Sequence, residues 1–444
     1  MAHSQAVAFI VEPSQCLQGR LPIPGDKSIS HRAIMLGALA DGETAVDGFL
    51  NGADCLATLE AFKRMGVAIQ GPGVATAPRP QVVVKGVGVD GLKAPDGPLD
   101  MGNAGTAMRL MAGLLAGQPF DSVLVGDASL SKRPMGRITE PLRAMGAVID
   151  AAPGERAPLA IRGGQTLTGI HYPSPLASAQ VKSCLLLAGL YAQGRTAVTE
   201  PAATRDHTER MLMAFGYDVE RRDATAALTG GGRLTACPLE IPADVSSAAF
   251  FLVGASIAPG SEVVLERVGT NPTRAGIIAL LQAMGADLTL ENQRVLGAEP
   301  VADIRVRSAA LRGIEIPETL VPLAIDEFPA LFVAAAVAKG ETVLKGAQEL
   351  RVKESDRIQA MADGLNALGA DTTPTADGMV IRGKPELRGG RVDSLGDHRV
   401  AMALAMAGLR AAGEVHIDDC ANVATSFPGF VDVAHRAGLS IRRV

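Results

Sequence analysis

The hydrophobic pattern of this 444-residue chain repeats. Six times an amphipathic helical stretch ends in glycine and runs into alternating apolar and polar positions. The copies are LEAFKRMGVAI around Gly66, LRAMGAVID around Gly146, MLMAFGYDVE around Gly216, LLQAMGADLTL around Gly285, LNALGADTT around Gly369 and AHRAGLSIRRV around Gly438. Successive glycines lie 69 to 84 residues apart. Glycine just past a helix takes the left-handed conformation that ends it, and period-two alternation afterwards marks a strand. A second element recurs at the same period: a polar turn, an Ala/Leu/Met/Gly-rich helix, a glycine and a Thr/Val-rich strand. Its copies span 26–42, 102–117, 178–194, 244–260, 326–340 and 397–413. These helices are apolar on every side, which predicts burial, whereas the Leu-Arg-Ala-Met-Gly type predicts a half-exposed face.

Six copies divide into three plus three. LPIPGDKSISHRAIMLGALADGET in the first copy is a close cousin of LEIPADVSSAAFFLVGASIAPGSE in the fourth, which begins near Ile241. The pattern predicts an α/β fold of two lobes, 23–241 and 1–22 with 242–444, the N-terminal stretch adding a strand to the second. Such a repeat can also be a scaffold that binds along a surface. Against that stands the polarity at one phase of the repeat. The starts of the apolar helices carry Lys27, Ser28 and Arg32; Asn103, Gly105, Thr106 and Arg109; Ser178 and Gln180; Asp326 and Glu327; and Asp397, His398 and Arg399. If equivalent repeats point the same way, these groups converge on a cleft between the lobes.

Net charge is −5 and no basic block appears, which argues against nucleic acid as a partner. The longest apolar runs, 248–259 and 331–338, fall short of the roughly 18 residues a membrane span needs. MAHSQAVAFIVE lacks the charged start and apolar core of a secretion signal. Five scattered cysteines without C-x-x-C spacing fit a reducing cytoplasm better than a disulfide frame or a metal site. Asp206 and His207 have no third ligand at suitable spacing, so no metal is expected.

The stretch from Pro24 to Arg32, PGDKSISHR, reads as a turn and a helix start, with Ser28 or Ser30 able to cap it. Free N–H groups and the positive end of the helix dipole would lie beside Lys27 and Arg32, an arrangement suited to an anion. In LRVKESDRI, residues 350–358, Lys353 and Arg357 read as i, i+4 neighbours on one helical face with Glu354 beside them. Lys27, Arg32, Arg109, Arg133, Arg205, Lys353, Arg357 and Arg399 would bring eight cations to the cleft of a net-acidic chain. They imply a substrate with several negative charges. Asp326 and Glu354 remain to move protons. No G-x-x-x-x-G-K-[ST] loop is present, which disfavours a nucleotide kinase.

Taken in order, GDKSISHR, GNAGTAMR, RPMG, SAQVKS, TRDHTE, LRVKESDR, DHRVAMA and ATSFPGF resemble the 5-enolpyruvylshikimate-3-phosphate synthases, a family of enolpyruvyl transferases, over essentially the whole chain. The resemblance implies two lobes of three βαβαββ units, an inverse α/β-barrel-like fold with its active site in the inter-lobe cleft. It implies transfer of the enolpyruvyl group of phosphoenolpyruvate to the 5-hydroxyl of shikimate 3-phosphate, by addition and elimination through a tetrahedral intermediate. That step precedes chorismate in aromatic amino-acid synthesis and is the target of glyphosate. A cytoplasmic monomer with no cofactor and no metal is the matching expectation.

By the same resemblance, Lys27, Ser28 and Arg32 contact shikimate 3-phosphate, and Lys27 also touches phosphoenolpyruvate and serves catalysis. Gly105 and Arg133 border the phosphoenolpyruvate phosphate, with Asn103 and Thr106 shaping that loop. Ser178 and Gln180 hold shikimate 3-phosphate, Gln180 lying between the two ligands, and Arg205 adds a phosphate contact. Asp326 accepts the 5-hydroxyl proton with Lys353 beside it, Glu354 handles the methylene proton, and Arg357 and Arg399 clamp the carboxylate. Two departures stand out: Ser178-Ala179-Gln180 where much of the family has Ser-Ser-Gln, and no lysine in Ala424-Thr425-Ser426-Phe427. SAQVKS, TRDHTE and ATSFP together resemble the subgroup with glyphosate-tolerant members, whereas Gly105 keeps the inhibitor's space open. The sister transferase acting on UDP-N-acetylglucosamine is the nearest rival; it is expected to carry a cysteine at 131–137, where this chain has none.

Overall fold

A computed structural model describes residues 7–13, 16–73 and 79–444. In it all six repeat glycines have φ between 79° and 106°, where a side chain would be strained. Each ends a helix: α2 (Ala53–Arg64), α4 (Gly136–Ala144), α6 (His207–Ala214), α8 (Gly276–Ala283), α11 (Arg357–Ala367) and α13 (Phe430–Arg436). The apolar copies form α1 (Lys27–Leu39), α3 (Gly105–Ala116), α5 (Ala179–Gly189), α7 (Val245–Ile257), α10 (Phe328–Val337) and α12 (His398–Ala407). A short α9 (Val321–Ala324) precedes α10.

Gly25–Ile241 and Leu296–Glu299 form one compact unit. It holds α1, α3 and α5 as its buried helices, and three sheets of one plan. Each has three antiparallel strands with short strands parallel at one edge. In the first, Ala40–Asp47, Gln81–Val87 and Ala68–Gln70 are flanked by Leu234–Thr235 and Leu239–Glu240. In the second, Ser122–Val125, Arg156–Arg162 and Val148–Ala152 are flanked by Leu99–Asp100. The third joins Arg195–Thr199, Thr225–Thr229 and Glu220–Arg222 to His171–Pro173. The inner helices pack backbone to backbone: a Cβ at Gly113 of α3 would lie 2.1 Å from the Cys184 carbonyl oxygen of α5.

The second unit runs to Pro24 and takes Pro242–Val295 and Pro300–Val444. Its buried helices are α7, α10 and α12. Two of its sheets follow the same plan, each with an insertion from the start of the chain, and the third has only the three antiparallel strands Glu341–Leu344, Met379–Arg382 and Asp371–Pro374. Gln18–Leu21 is the parallel edge beside Glu262–Gly269. Phe9–Val11 lies between Val415–Asp418 and Ile441–Arg443, antiparallel to both, in the place that the other sheets fill with their repeat's own last strand. Among the described residues no helix is long and apolar enough to cross a membrane.

Candidate active site

In the unit of residues 25–241, neither Ser28 nor Ser30 caps the first helix. Asp26 does, accepting the Ile29 N–H at 2.9 Å, so α1 opens at Lys27 and both serines fall inside it. A carboxylate just outside the helix outcompetes hydroxyls within it for that N–H. Lys27 Nζ lies 3.0 Å from Asp54 Oδ2 in the first turn of α2. Arg32 is built into the interior: Nε donates to Thr208 Oγ1 at 2.7 Å, Nη2 to Ser183 Oγ at 2.8 Å and Nη1 to the Ser28 carbonyl at 2.8 Å. Between these cations His31 is wholly buried with Nδ1 2.8 Å from Thr58 Oγ1. Burial, then Lys27 and Arg32, push its pKa down to about 3, so it stays neutral.

The start of α3 gathers most of the residues expected at phosphoenolpyruvate. No side chain caps this helix at Ala104. Gly105 faces two guanidinium groups; a Cβ there would come within 3.0 Å of Arg133 Nη1 and 3.2 Å of Arg109 Nη1. Arg133, ahead of Pro134, is extended and donates from Nη2 to Asn103 Oδ1 at 2.5 Å. Asn103 in turn donates to Asp127 Oδ2 at 2.8 Å. Gln180, on α5, accepts from Arg109 Nη1 at 2.8 Å and donates to Thr106 Oγ1 at 3.0 Å. A helix N-terminus without a capping side chain, flanked by two arginine forks, is suited to phosphate. Ser178 caps α5, its hydroxyl 3.5 Å from the Val181 N–H, and its own N–H donates to Glu200 Oε1 at 3.0 Å. Arg205 is half-buried on the loop before α6.

The other unit holds the candidate proton-moving groups. Asp326 Oδ1 lies 3.5 Å from Lys353 Nζ and 3.3 Å from Arg357 Nη1. Arg357 is only 1% exposed, and its Nε reaches Asp397 Oδ2 at 2.8 Å while Nη2 reaches Glu354 Oε2 at 2.5 Å. Burial pulls its pKa down, but Asp397, Glu354 and Asp326 together raise it above the usual arginine range. One guanidinium thus ties both candidate acids together. Arg399 Nη1 donates to the Asp326 carbonyl at 2.9 Å and lies 3.7 Å from Glu327 Oε1.

Lys353 and Arg357 do not share a helix. Lys353 closes the 3-10 turn Gln348–Val352, and α11 starts only at Arg357, capped by Asp356 through the Gln359 N–H at 3.1 Å. The two cations still meet, at Asp326 rather than along a helical face. The structure also gives Asp206 and His207 a third neighbour: Glu299, 92 residues from His207 in sequence, with all three buried and ligand atoms within 4.8 Å. These donors are already engaged. Asp206 takes Arg210 Nε at 2.8 Å and also Arg221, and Glu299 Oε1 takes His207 Nδ1 at 2.8 Å. Two arginines on the only aspartate make this a poor cation site.

Sequence reasoning missed Asp54, Glu200, and Asp244 with Arg274, whose Nη2 donates to Asp244 Oδ1 at 2.9 Å and Ser246 Oγ at 2.8 Å. Asp54 had one legible sign, an acid in the first turn of a helix; Arg274 looks like a surface turn residue and had none.

A model of the family described as EPSP synthase (3-phosphoshikimate 1-carboxyvinyltransferase) matches residues 11–434. Curated proteins named 3-phosphoshikimate 1-carboxyvinyltransferase are similar at full length. That of Alkalilimnicola ehrlichii is 63% identical over 98% of this chain and 96% of its own, and that of Methylococcus capsulatus 61% over 99% of each. The solved EPSP synthase of Acinetobacter baumannii is similar with a TM-score of 0.87 and 56% identity, covering 99% of this chain and 100% of that one. On sequence and fold alike, the chain belongs to the EPSP synthase family.

Proposed function

We propose that the protein transfers the enolpyruvyl group of phosphoenolpyruvate to the 5-hydroxyl of shikimate 3-phosphate, releasing phosphate. The observation that carries this reading is Arg357, which holds Asp326 and Glu354 on one buried guanidinium. Addition to an enol ether followed by elimination needs a base at the attacking hydroxyl and an acid at the methylene carbon. Asp326 takes the hydroxyl proton, and Lys353 steadies the charge beside it. Glu354 gives a proton to the methylene as the new C–O bond forms, and removes one as phosphate leaves and the double bond returns. Arg357 and Arg399 hold the carboxylate.

Gly105 and Arg133, with Asn103 and Thr106 shaping their loop, receive the departing phosphate at the uncapped start of α3. Lys27, Ser28, Arg32, Ser178, Gln180 and Arg205 hold shikimate 3-phosphate, with Lys27 and Gln180 also reaching phosphoenolpyruvate. Fixed cations aimed at charge that develops in the transition state supply stabilisation without reorganisation.

The test is phosphate release from phosphoenolpyruvate with different acceptors. Release that requires shikimate 3-phosphate is expected; release with UDP-N-acetylglucosamine alone would replace this reading with that of the sister transferase.

A further inference from the structure

We propose that a buried ionic triad, Lys182 with Glu200 and Glu209, is the positioning device for the shikimate 3-phosphate residues. The inference rests on the functional reading above. Lys182 lies inside α5 with Nζ 2.9 Å from Glu200 Oε2, 2.9 Å from Glu209 Oε1 and 3.3 Å from the Thr204 carbonyl oxygen. All three residues are at most 4% exposed. Burial works against the ammonium's charge, but Glu209 and Glu200 more than offset it and raise its pKa.

A buried ion pair is weak grounds for stability, because apolar side chains of similar volume often serve as well. Two carboxylates against one ammonium are worse placed still, and Glu209 Oε2 has no hydrogen-bond partner among the described residues. What the triad does that apolar groups cannot is hold backbone and hydroxyl groups of two separate site segments. Glu200 Oε1 accepts the Ser178 N–H at 3.0 Å, fixing the residue that caps α5 two positions before Gln180. The same carboxylate accepts the Thr204 hydroxyl at 2.7 Å, and Lys182 holds the Thr204 carbonyl, so the residue before Arg205 is gripped at both ends.

Glu209 extends the grip to α6. The neighbouring Thr208 donates to Ser183 Oγ at 2.7 Å and accepts Arg32 Nε. Ser178 is thus bonded to the triad directly, Arg205 follows a residue held at both ends, and Arg32 is reached through Thr208 and Ser183; Gln180, bonded to Arg109 and Thr106, is placed only through the turn that Ser178 opens. On the phosphoenolpyruvate side, Asn103 bonds to Asp127 and Arg133 to Asn103 and Ser129. A device built this way acts first on the shikimate 3-phosphate residues and reaches the phosphoenolpyruvate side only through Gln180. Lys182, Glu200 and Glu209 are positioning residues, since their contacts are to the residues that meet the ligand.

Glu200→Gln removes the charge that collects these donors while keeping shape. The variant Lys182→Met/Glu200→Gln/Glu209→Gln removes all three charges of the triad at once and so leaves none of them unpaired. In the full-length protein, both are expected to raise KM for shikimate 3-phosphate about tenfold or more, the loss of hydrogen bonds to a charged group. KM for phosphoenolpyruvate should rise by no more than about threefold, because only Gln180 links the triad to that side and does so indirectly. Hydrogen exchange should quicken at 174–180 and 200–206 but not at 102–106.

Unchanged exchange and unchanged KM values in a folded triple variant overturn the proposal. So does a parallel rise in both KM values with a fall in Tm, which marks a structural role. Quickened exchange in the variants, with an unmutated protein that ignores shikimate 3-phosphate, overturns the functional reading and with it the substrate named here.

Discussion

His31 gives a prediction whose size follows from its surroundings. Its imidazole is wholly buried between Lys27 and Arg32, and its pKa is lowered from 6.5 to about 3. Above pH 6.5 it is neutral whether the chain is folded or not. Below that, the unfolded chain takes up a proton that the folded chain refuses, so stability falls with pH until about 3. Each pH unit across this window is worth about 1.4 kcal/mol, so lowering pH from 8 to 5 costs about 2 kcal/mol through this one residue. Urea unfolding of the protein and of His31→Asn at pH 8 and pH 5 isolates the effect, because every other titrating group is common to both. The unmutated protein should lose about 2 kcal/mol more than the variant between the two pH values. Equal losses would refute the reasoning, showing that the imidazole takes its proton in the folded state.

Three further variants probe the candidate site and its support. Gly105→Ala sets a methyl against Arg133 Nη1 and Arg109 Nη1, so KM for phosphoenolpyruvate should rise while that for shikimate 3-phosphate holds; steady-state kinetics with each substrate varied will tell. Gly113→Ala meets a backbone carbonyl that cannot swing aside, so calorimetry should show a loss of about 1–3 kcal/mol, with kinetic constants at low temperature unchanged. Asp326→Ala should keep substrate binding by titration calorimetry but lower kcat by about 10²–10⁴-fold, and unchanged kcat would remove it from the base role.

How far the sequence could be read depended on the kind of interaction. The six buried helices were legible because each is apolar on every side, and the glycines because only they accept φ near 90° after a helix. Phe9–Val11 is too short to carry a pattern, and which strands it joins is a long-range matter. The starts of the apolar helices were legible as polar interruptions of those runs, which is how Lys27, Gly105, Gln180 and Asp326 stood out. Their supports were not. Lys182 reads as one cation in an apolar helix, and its partners Glu200 and Glu209 lie on later segments. Arg274 and Asp244 are 30 residues apart. A buried ion pair leaves no periodic mark, because its two halves belong to different elements. Lys353 shows the converse: 350–358 is not one helix, yet Lys353 meets Arg357 at Asp326 through a turn.

If Asp326 and Glu354, gathered by Arg357, carry out enolpyruvyl transfer, the reaction has a fixed stoichiometry. Phosphorus and proton NMR of one reaction mixture tests it most directly. With phosphoenolpyruvate and shikimate 3-phosphate, one inorganic phosphate is expected for each phosphoenolpyruvate lost. The shikimate phosphate stays esterified and new enol ether methylene signals appear, none of which happens without the acceptor. Phosphate freed from shikimate 3-phosphate, or from phosphoenolpyruvate with no acceptor present, would contradict it.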